Sequence, residues 1–148
     1  MNTNMLRENP EEQIAHIFKA LGQAMRILIV LTIGEQESCV CHLETILGVR
    51  QARISQHLMA LRKAGIVTTK REGRHIYYQL ENPQILELIA QTADFFQIEK
   101  AQLFELSQQI SDTCTCPRCV NNVAQNMICK PVLTTNTIKG DGKWNKKA

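Results

Sequence analysis
A mostly α-helical fold carrying one β-hairpin wing is what the sequence predicts, on three observations. Leu43, Ile46 and Leu47 recur at i, i+3 and i+4, one face of a short helix, and Gly48 ends it. Ile54, Leu58 and Leu61 mark the inner face of a second helix closed by Gly65, with Arg53, Gln56 and Lys63 on the opposite face. Ile66 to Arg71 and His75 to Leu80 are rich in β-branched and aromatic residues, and Glu72-Gly73-Arg74 turns between them. Two helices joined by so short a turn, with Val49 as its buried plug, form a helix-turn-helix, whose second helix is suited to a major groove. The hairpin is its wing.

The other elements follow the same signals. Pro10 opens a first helix, with Ile14, Ile17, Phe18 and Leu21 on one face. A second helix covers about Ala24 to Ile33, and Gly34 stops it. After the wing, Asn82-Pro83 starts a long helix predicted to reach about Ile110. Leu86, Ile89, Ala93 and Phe96 repeat along it at coiled-coil spacing, which suits a dimer seam or the monomer's own core. From about Lys130 the chain is rich in Thr, Asn, Gly and Lys and reads as a mobile tail; Trp144 there is isolated and is assigned no role. The 148 residues, 44% apolar, suffice for one core.

Charge points to nucleic acid. Between Arg50 and Arg74 there are seven basic residues and one acid, in a chain whose net charge is only +3. Phosphate neutralisation needs such a concentration in one place, and these residues sit where the apolar pattern faces outward. Arg50, Gln51, Arg53, Ser55, Gln56 and His57 on the second helix of the pair are the candidate base and phosphate contacts, with Lys70, Arg71 and Arg74 on the wing. The expected partner is double-stranded DNA. No run is long enough to span a bilayer and no signal peptide is evident, so a cytoplasmic, membrane-free protein is expected. No phosphate loop, nucleophile–base arrangement or dinucleotide fingerprint argues for an enzyme.

These motifs resemble the ArsR/SmtB family of winged-helix repressors that sense metals and metalloids. The resemblance covers about residues 10–110. Ala20-Leu21 and Met25-Arg26-Ile27-Leu28 are similar to the family's second helix. Ile54-Ser55-Gln56-His57-Leu58, Leu61, Ala64-Gly65-Ile66-Val67 and Glu72-Gly73-Arg74-His75-Ile76-Tyr77-Tyr78 are similar to its recognition helix and wing. The resemblance implies a homodimer, joined through the first and last helices, that holds operator DNA until an inducer binds. It also divides the chain into a winged helix-turn-helix and dimerisation domain over 1–112 and a Cys-rich segment with a basic tail over 113–148.

The cysteines are the candidate sensor. Six cysteines without a secretory signal suggest a reducing compartment, where thiols bind metal rather than pair. In the family resembled, Cys-x-Cys at the start of the third helix, here Cys39 and Cys41, marks a thiolate site for cadmium, lead or arsenite. Residues i and i+2 of a regular helix point about 200° apart, so chelation by both requires a loosened first turn. Two thiolates do not close a site. The family's third cysteine is replaced by Glu44, and residues 1–38 hold none. Cys114, Cys116 and Cys119 are the available extra ligands, with Cys129 beyond. The inducers expected are As(III), Cd(II), Pb(II) or Zn(II). Alternatives are a separate zinc or iron–sulfur site on the tail, or a Cys116-Pro117 haem ligand. Another is a regulator in which the same thiols sense oxidation or persulfide. The family's second metal site aligns with Asn82, Gln84, Phe95 and Ile98, which are poor ligands, so that site is not expected. His42 is expected to be solvated or to support a ligand rather than to be one itself, His16 to lie on the surface, and His57 and His75 to face DNA.

Overall fold
The computed structural model describes residues 9–106, 114, 116, 117, 119 and 120. Its elements run α1 (Pro10–Leu21), α2 (Ala24–Ile33), β1 (Ser38–Cys39), α3 (Val40–Leu47), α4 (Gln51–Lys63), β2 (Val67–Glu72), β3 (His75–Leu80), α5 (Gln84–Phe95) and α6 (Ala101–Glu105). This is the expected helical domain with a wing.

The core is built where the periodicity places it. α2 is apolar nearly all round and is the central helix, with Ile29, Val30 and Ile33 fully enclosed. Leu43 of α3 and Ile54, Leu58 and Leu61 of α4 meet it, and Ile66, Val67 and Leu80 close the wing end. Val49 packs against this cluster from the turn between α3 and α4. Each fully enclosed Leu or Ile contributes about 1.5–3 kcal/mol. Gly48 ends α3 at φ 62, a left-handed conformation that a β-carbon would penalise, and this lets the chain turn straight into α4. Among the described residues no single helix is long and apolar enough to cross a membrane.

Three features differ from the sequence expectation. First, the sheet has three strands in the order β1-β3-β2, because Ser38 and Cys39 pair with Tyr78 and Tyr77. Second, the last helix does not run unbroken to Ile110. α5 stops at Phe95, where Gln97 takes φ 55, the Ile98 N–H bonds the Ala93 carbonyl at 2.8 Å and the Gln97 N–H bonds the Asp94 carbonyl at 3.2 Å. This is a Schellman-type stop made without glycine, and an ion pair between Lys100 and Asp94 spans it. Third, the expected seam divides. Leu86 and Ile89 pack on the monomer's core and Ala93 is buried, while Phe96 is exposed beside Phe95 and Ile98. Ile14 and Phe18 of α1 are exposed as well, whereas Leu21 is buried.

Candidate metal centre and nucleic-acid interface
Cys39 and Cys41 are separated by the boundary of α3. Cys39 is the last residue of β1 and the N-cap of the helix, at φ −82 and ψ 160, and its thiol accepts the His42 backbone N–H at 3.3 Å. An extended cap residue aims inward against its strand partner Tyr77. Cys41 lies one residue inside the helix and is exposed. The divergence expected of an i, i+2 pair is therefore present, and the first turn of α3 is not loosened to bring the two thiols together.

The thiols that meet Cys39 come from far along the chain. Its Sγ lies 3.3 Å from Cys114 Sγ and 3.5 Å from Cys116 Sγ. With Cys119 these form a set of four sulfurs, all within 4.8 Å of one another and all buried. Four sulfurs arranged tetrahedrally on zinc are separated by about 3.8 Å, so the donor set fits a thiophilic ion. The Cys119 N–H approaches Cys116 Sγ at 3.5 Å, and the Val120 N–H bonds the Cys116 carbonyl at 3.0 Å, the i to i−4 bond of a helical turn. Cys129 lies outside the described residues.

The electrostatics single out one sulfur. Hydrogen bonding from Cys119 lowers the Cys39 thiol to about 5 against the resistance of burial, with further help from the His42 N–H and from Cys114 and Cys116. Burial pushes the Cys114 thiol the other way, aided by its contacts with Cys39 and Cys41. The pair is thus a thiolate at Cys39 beside a thiol at Cys114. His42 is not solvated: it is 4% exposed, and its Nδ1 lies 4.0 Å from Cys119 Sγ, so it supports the thiol group. Burial lowers its pKa, opposed by the Cys39 charge. Sequence reasoning gave Tyr77 no role, yet it is buried among the four cysteines, and its phenol hydrogen-bonds Cys116. Only the pairing of β1 with β3, through the Cys39–Tyr77 register, reveals it.

The candidate DNA contacts lie on α4 and the wing. Arg50, Gln51, Arg53 and Gln56 are exposed along the first turns of α4, and Ser55 is half-buried. His57 is also half-buried: its Nε2 has no hydrogen-bond partner among the described residues, and burial, then the charges of Arg26 and Arg53, lower its pKa. It is a neutral side chain leaning on the domain, less available to a groove than Arg53 or Gln56. Lys70, Arg71 and Arg74 are exposed on the hairpin. Lys70 Nζ reaches Glu37 at 3.4 Å and Glu72 at 3.3 Å, and Arg71 Nε donates to the Gly73 carbonyl at 3.2 Å. Such exposed pairs are weak and exchange readily for phosphate. His75, at the wing's base, is half-buried, and His16 is exposed as expected.

Comparison with known proteins agrees with this architecture. The family pattern described as "Bacterial regulatory protein, arsR family" matches residues 25–69. A "Transcriptional repressor SmtB homolog" of Synechocystis sp. is 33% identical over 86 residues, covering 58% of this chain and 65% of that protein, so the match spans just under two thirds of this relative's length. A "Cadmium resistance transcriptional regulatory protein CadC homolog" of Staphylococcus aureus is 32% identical over 87 residues, covering 58% of this chain and 71% of that protein. Among solved structures, the homodimeric winged helix-turn-helix DNA-binding domain of Mb0332 from Mycobacterium bovis, described as a possible ArsR-family transcriptional regulator, superposes with a TM-score of 0.53 at 28% identity, over 58% of this chain and 80% of that one. All three are described as transcriptional repressors or regulators.

Proposed function
Because the chain belongs to the ArsR family of bacterial regulatory proteins and is a regulator rather than an enzyme, we propose that it is a cytoplasmic, homodimeric transcriptional repressor that leaves its operator when a thiophilic ion binds Cys39, Cys114, Cys116 and Cys119. The observation that carries this reading is the set of four buried sulfurs next to a winged helix. Thiolates select soft ions, and a closed set of four suits the tetrahedral Zn(II) or Cd(II) better than arsenite, which takes three thiolates. Bound there, the ion would supply positive charge and a crosslink. The chain's own groups do the rest: the His42 N–H and ring, the Cys119 N–H and the Tyr77 phenol all face sulfur and offset its negative charge. Exposed Ile14 and Phe18 on α1, with Phe95 at the end of α5 and Phe96 and Ile98 just beyond it, are the surfaces proposed to join two copies; the Mycobacterium bovis relative is described as homodimeric.

The test is a titration of reduced full-length protein with Cd(II), Zn(II) and arsenite, following thiolate-to-metal absorption and anisotropy of a duplex selected from a random library. One ion per chain and duplex release are expected; absence of the absorption would overturn the reading. Arg53→Ala should weaken duplex binding by about 1–3 kcal/mol if its guanidinium grips a base edge. A second reading, sensing of thiol oxidation or persulfide, is favoured by the 3.3 Å between Cys39 and Cys114 sulfurs. Release by mild peroxide without added metal would select it.

A further inference from the structure
Tyr77 stands between the sulfurs and the wing. It is 2% exposed and packs among Cys39, Cys114, Cys116 and Cys119. A buried tyrosine needs a partner for its O–H, and here the partner is Cys116, one of the sulfurs assigned to the ion. The residue is carried by β3, the middle strand. On one side it is paired with Cys39 of β1, and on the other with Lys70 of β2. Arg71 and Arg74 follow within the same hairpin. A second tie runs in parallel, from Lys70 back to Glu37, two residues before Cys39. The thiol centre is thus joined to the wing by a backbone ladder and by a side-chain hydrogen bond, with a weak ion pair beside them.

We propose that Tyr77 positions the Cys116 sulfur for the ion and carries occupancy of the centre to DNA through the wing. The inference rests on the four-sulfur reading above. An ion held by all four sulfurs would fix the position of Cys116, and with it the buried phenol enclosed among those sulfurs. The phenol cannot follow the sulfur without its strand, because the Tyr77 backbone is held between two neighbours. A small shift of β3 at Tyr77 is passed to the Gly73-Arg74 tip, where the exposed guanidinium groups sit. α4 need not move first.

The experiment compares full-length wild type with Tyr77→Phe, which keeps the ring and removes only the hydroxyl. For each, duplex affinity is measured with and without saturating Cd(II), alongside the thiolate-to-cadmium spectrum. Wild type should show a ratio of about 5–150-fold. In Tyr77→Phe the Cd(II) affinity should fall about 10–100-fold, the absorption band should shift as Cys116 loses its hydrogen bond, and at saturation the duplex-affinity ratio should fall to within about twofold of one. An unchanged ratio and band in a variant that still binds Cd(II) would overturn the inference and leave the four-sulfur reading intact. No cadmium absorption in wild type would overturn both. A second measurement does not depend on the variant folding: hydrogen exchange of the wild-type protein with and without Cd(II). Slowed exchange across β2 and β3 supports the wing route, and change confined to α3 and α4 overturns it.

Discussion
Two buried centres lie side by side in this molecule, and they are made of different matter. Around α2, aliphatic side chains fill space, and what holds them is area removed from water. Beside β1 and β3, four cysteines and a tyrosine form a second cluster, ordered by hydrogen bonds and charge: a thiolate at Cys39, a thiol at Cys114, and donors from His42 and Tyr77. The first centre is held by volume, the second by hydrogen bonds and charge. Stability and the proposed sensing therefore fall in separate places in one small domain and meet along the short β1–β3 ladder.

Breaking the first centre should have the largest effect. Leu58 is 1% exposed on the inner face of α4. Leu58→Ala should lower unfolding free energy by about 2–5 kcal/mol, read as a drop in the denaturant midpoint, while the molecules that remain folded bind Cd(II) with wild-type affinity. Breaking the second centre should do the opposite. Cys39→Ser removes the sulfur that touches Cys114 and Cys116. It should cost roughly 3 kcal/mol of Cd(II) affinity, on the order of a hundredfold, and, in metal-free protein near pH 5 where the Cys39 charge contributes least, change the denaturant midpoint far less than Leu58→Ala does. A result in which both variants lose stability equally would mean the centres are one.

Protons sharpen the comparison at a smaller scale. Cys39 is ionised above about 5, while Cys114 is held protonated above its ordinary range. Between these limits an ion must displace the Cys114 proton, so Cd(II) affinity should rise with pH across the neutral range, by about tenfold per pH unit for each proton released. Cys114→Ser should flatten that slope by about one proton, and an unchanged slope would place the displaced proton elsewhere. For metal-free stability the sign at Cys39 runs the same way as for a carboxylate. Its depressed value contributes stability above 9.0 that is lost as pH falls towards 5, and the raised Cys114 opposes it. The smallest effect is expected at Cys41, exposed and outside the set of four. Cys41→Ser should alter Cd(II) affinity by about 0.5–1.5 kcal/mol, the worth of its contact with Cys114; a loss equal to that of Cys39→Ser would bring Cys41 into the centre.

The aliphatic centre was legible in the sequence because helical spacing is a local signal. Leu43, Ile54, Leu58 and Leu61 each lie on the face that periodicity gives them. The thiol centre was legible as a list of residues but not as a geometry. Cys-Val-Cys looks symmetrical in sequence, and what breaks the symmetry is the position of the helix cap, which turns Cys39 inward and Cys41 outward. β1 escaped notice because two residues carry no period. The stop after α5 escaped because Gln97 takes the left-handed turn where a glycine would have announced it. His42 and Tyr77 are ordinary in their local patterns and become informative only once distant cysteines are brought against them.

The sulfurs of Cys39 and Cys114 are neighbours in space but stand 75 residues apart along the chain. An ion shared between them therefore closes a large loop that encloses α3, the recognition helix, the wing and α5. In the polymer picture such a closure removes about 4.5 kcal/mol worth of freedom from the unfolded chain. The inducer would then act as a reversible ring closure: the form that has left DNA is also the form that is hardest to unravel, and a chelator would return both properties at once.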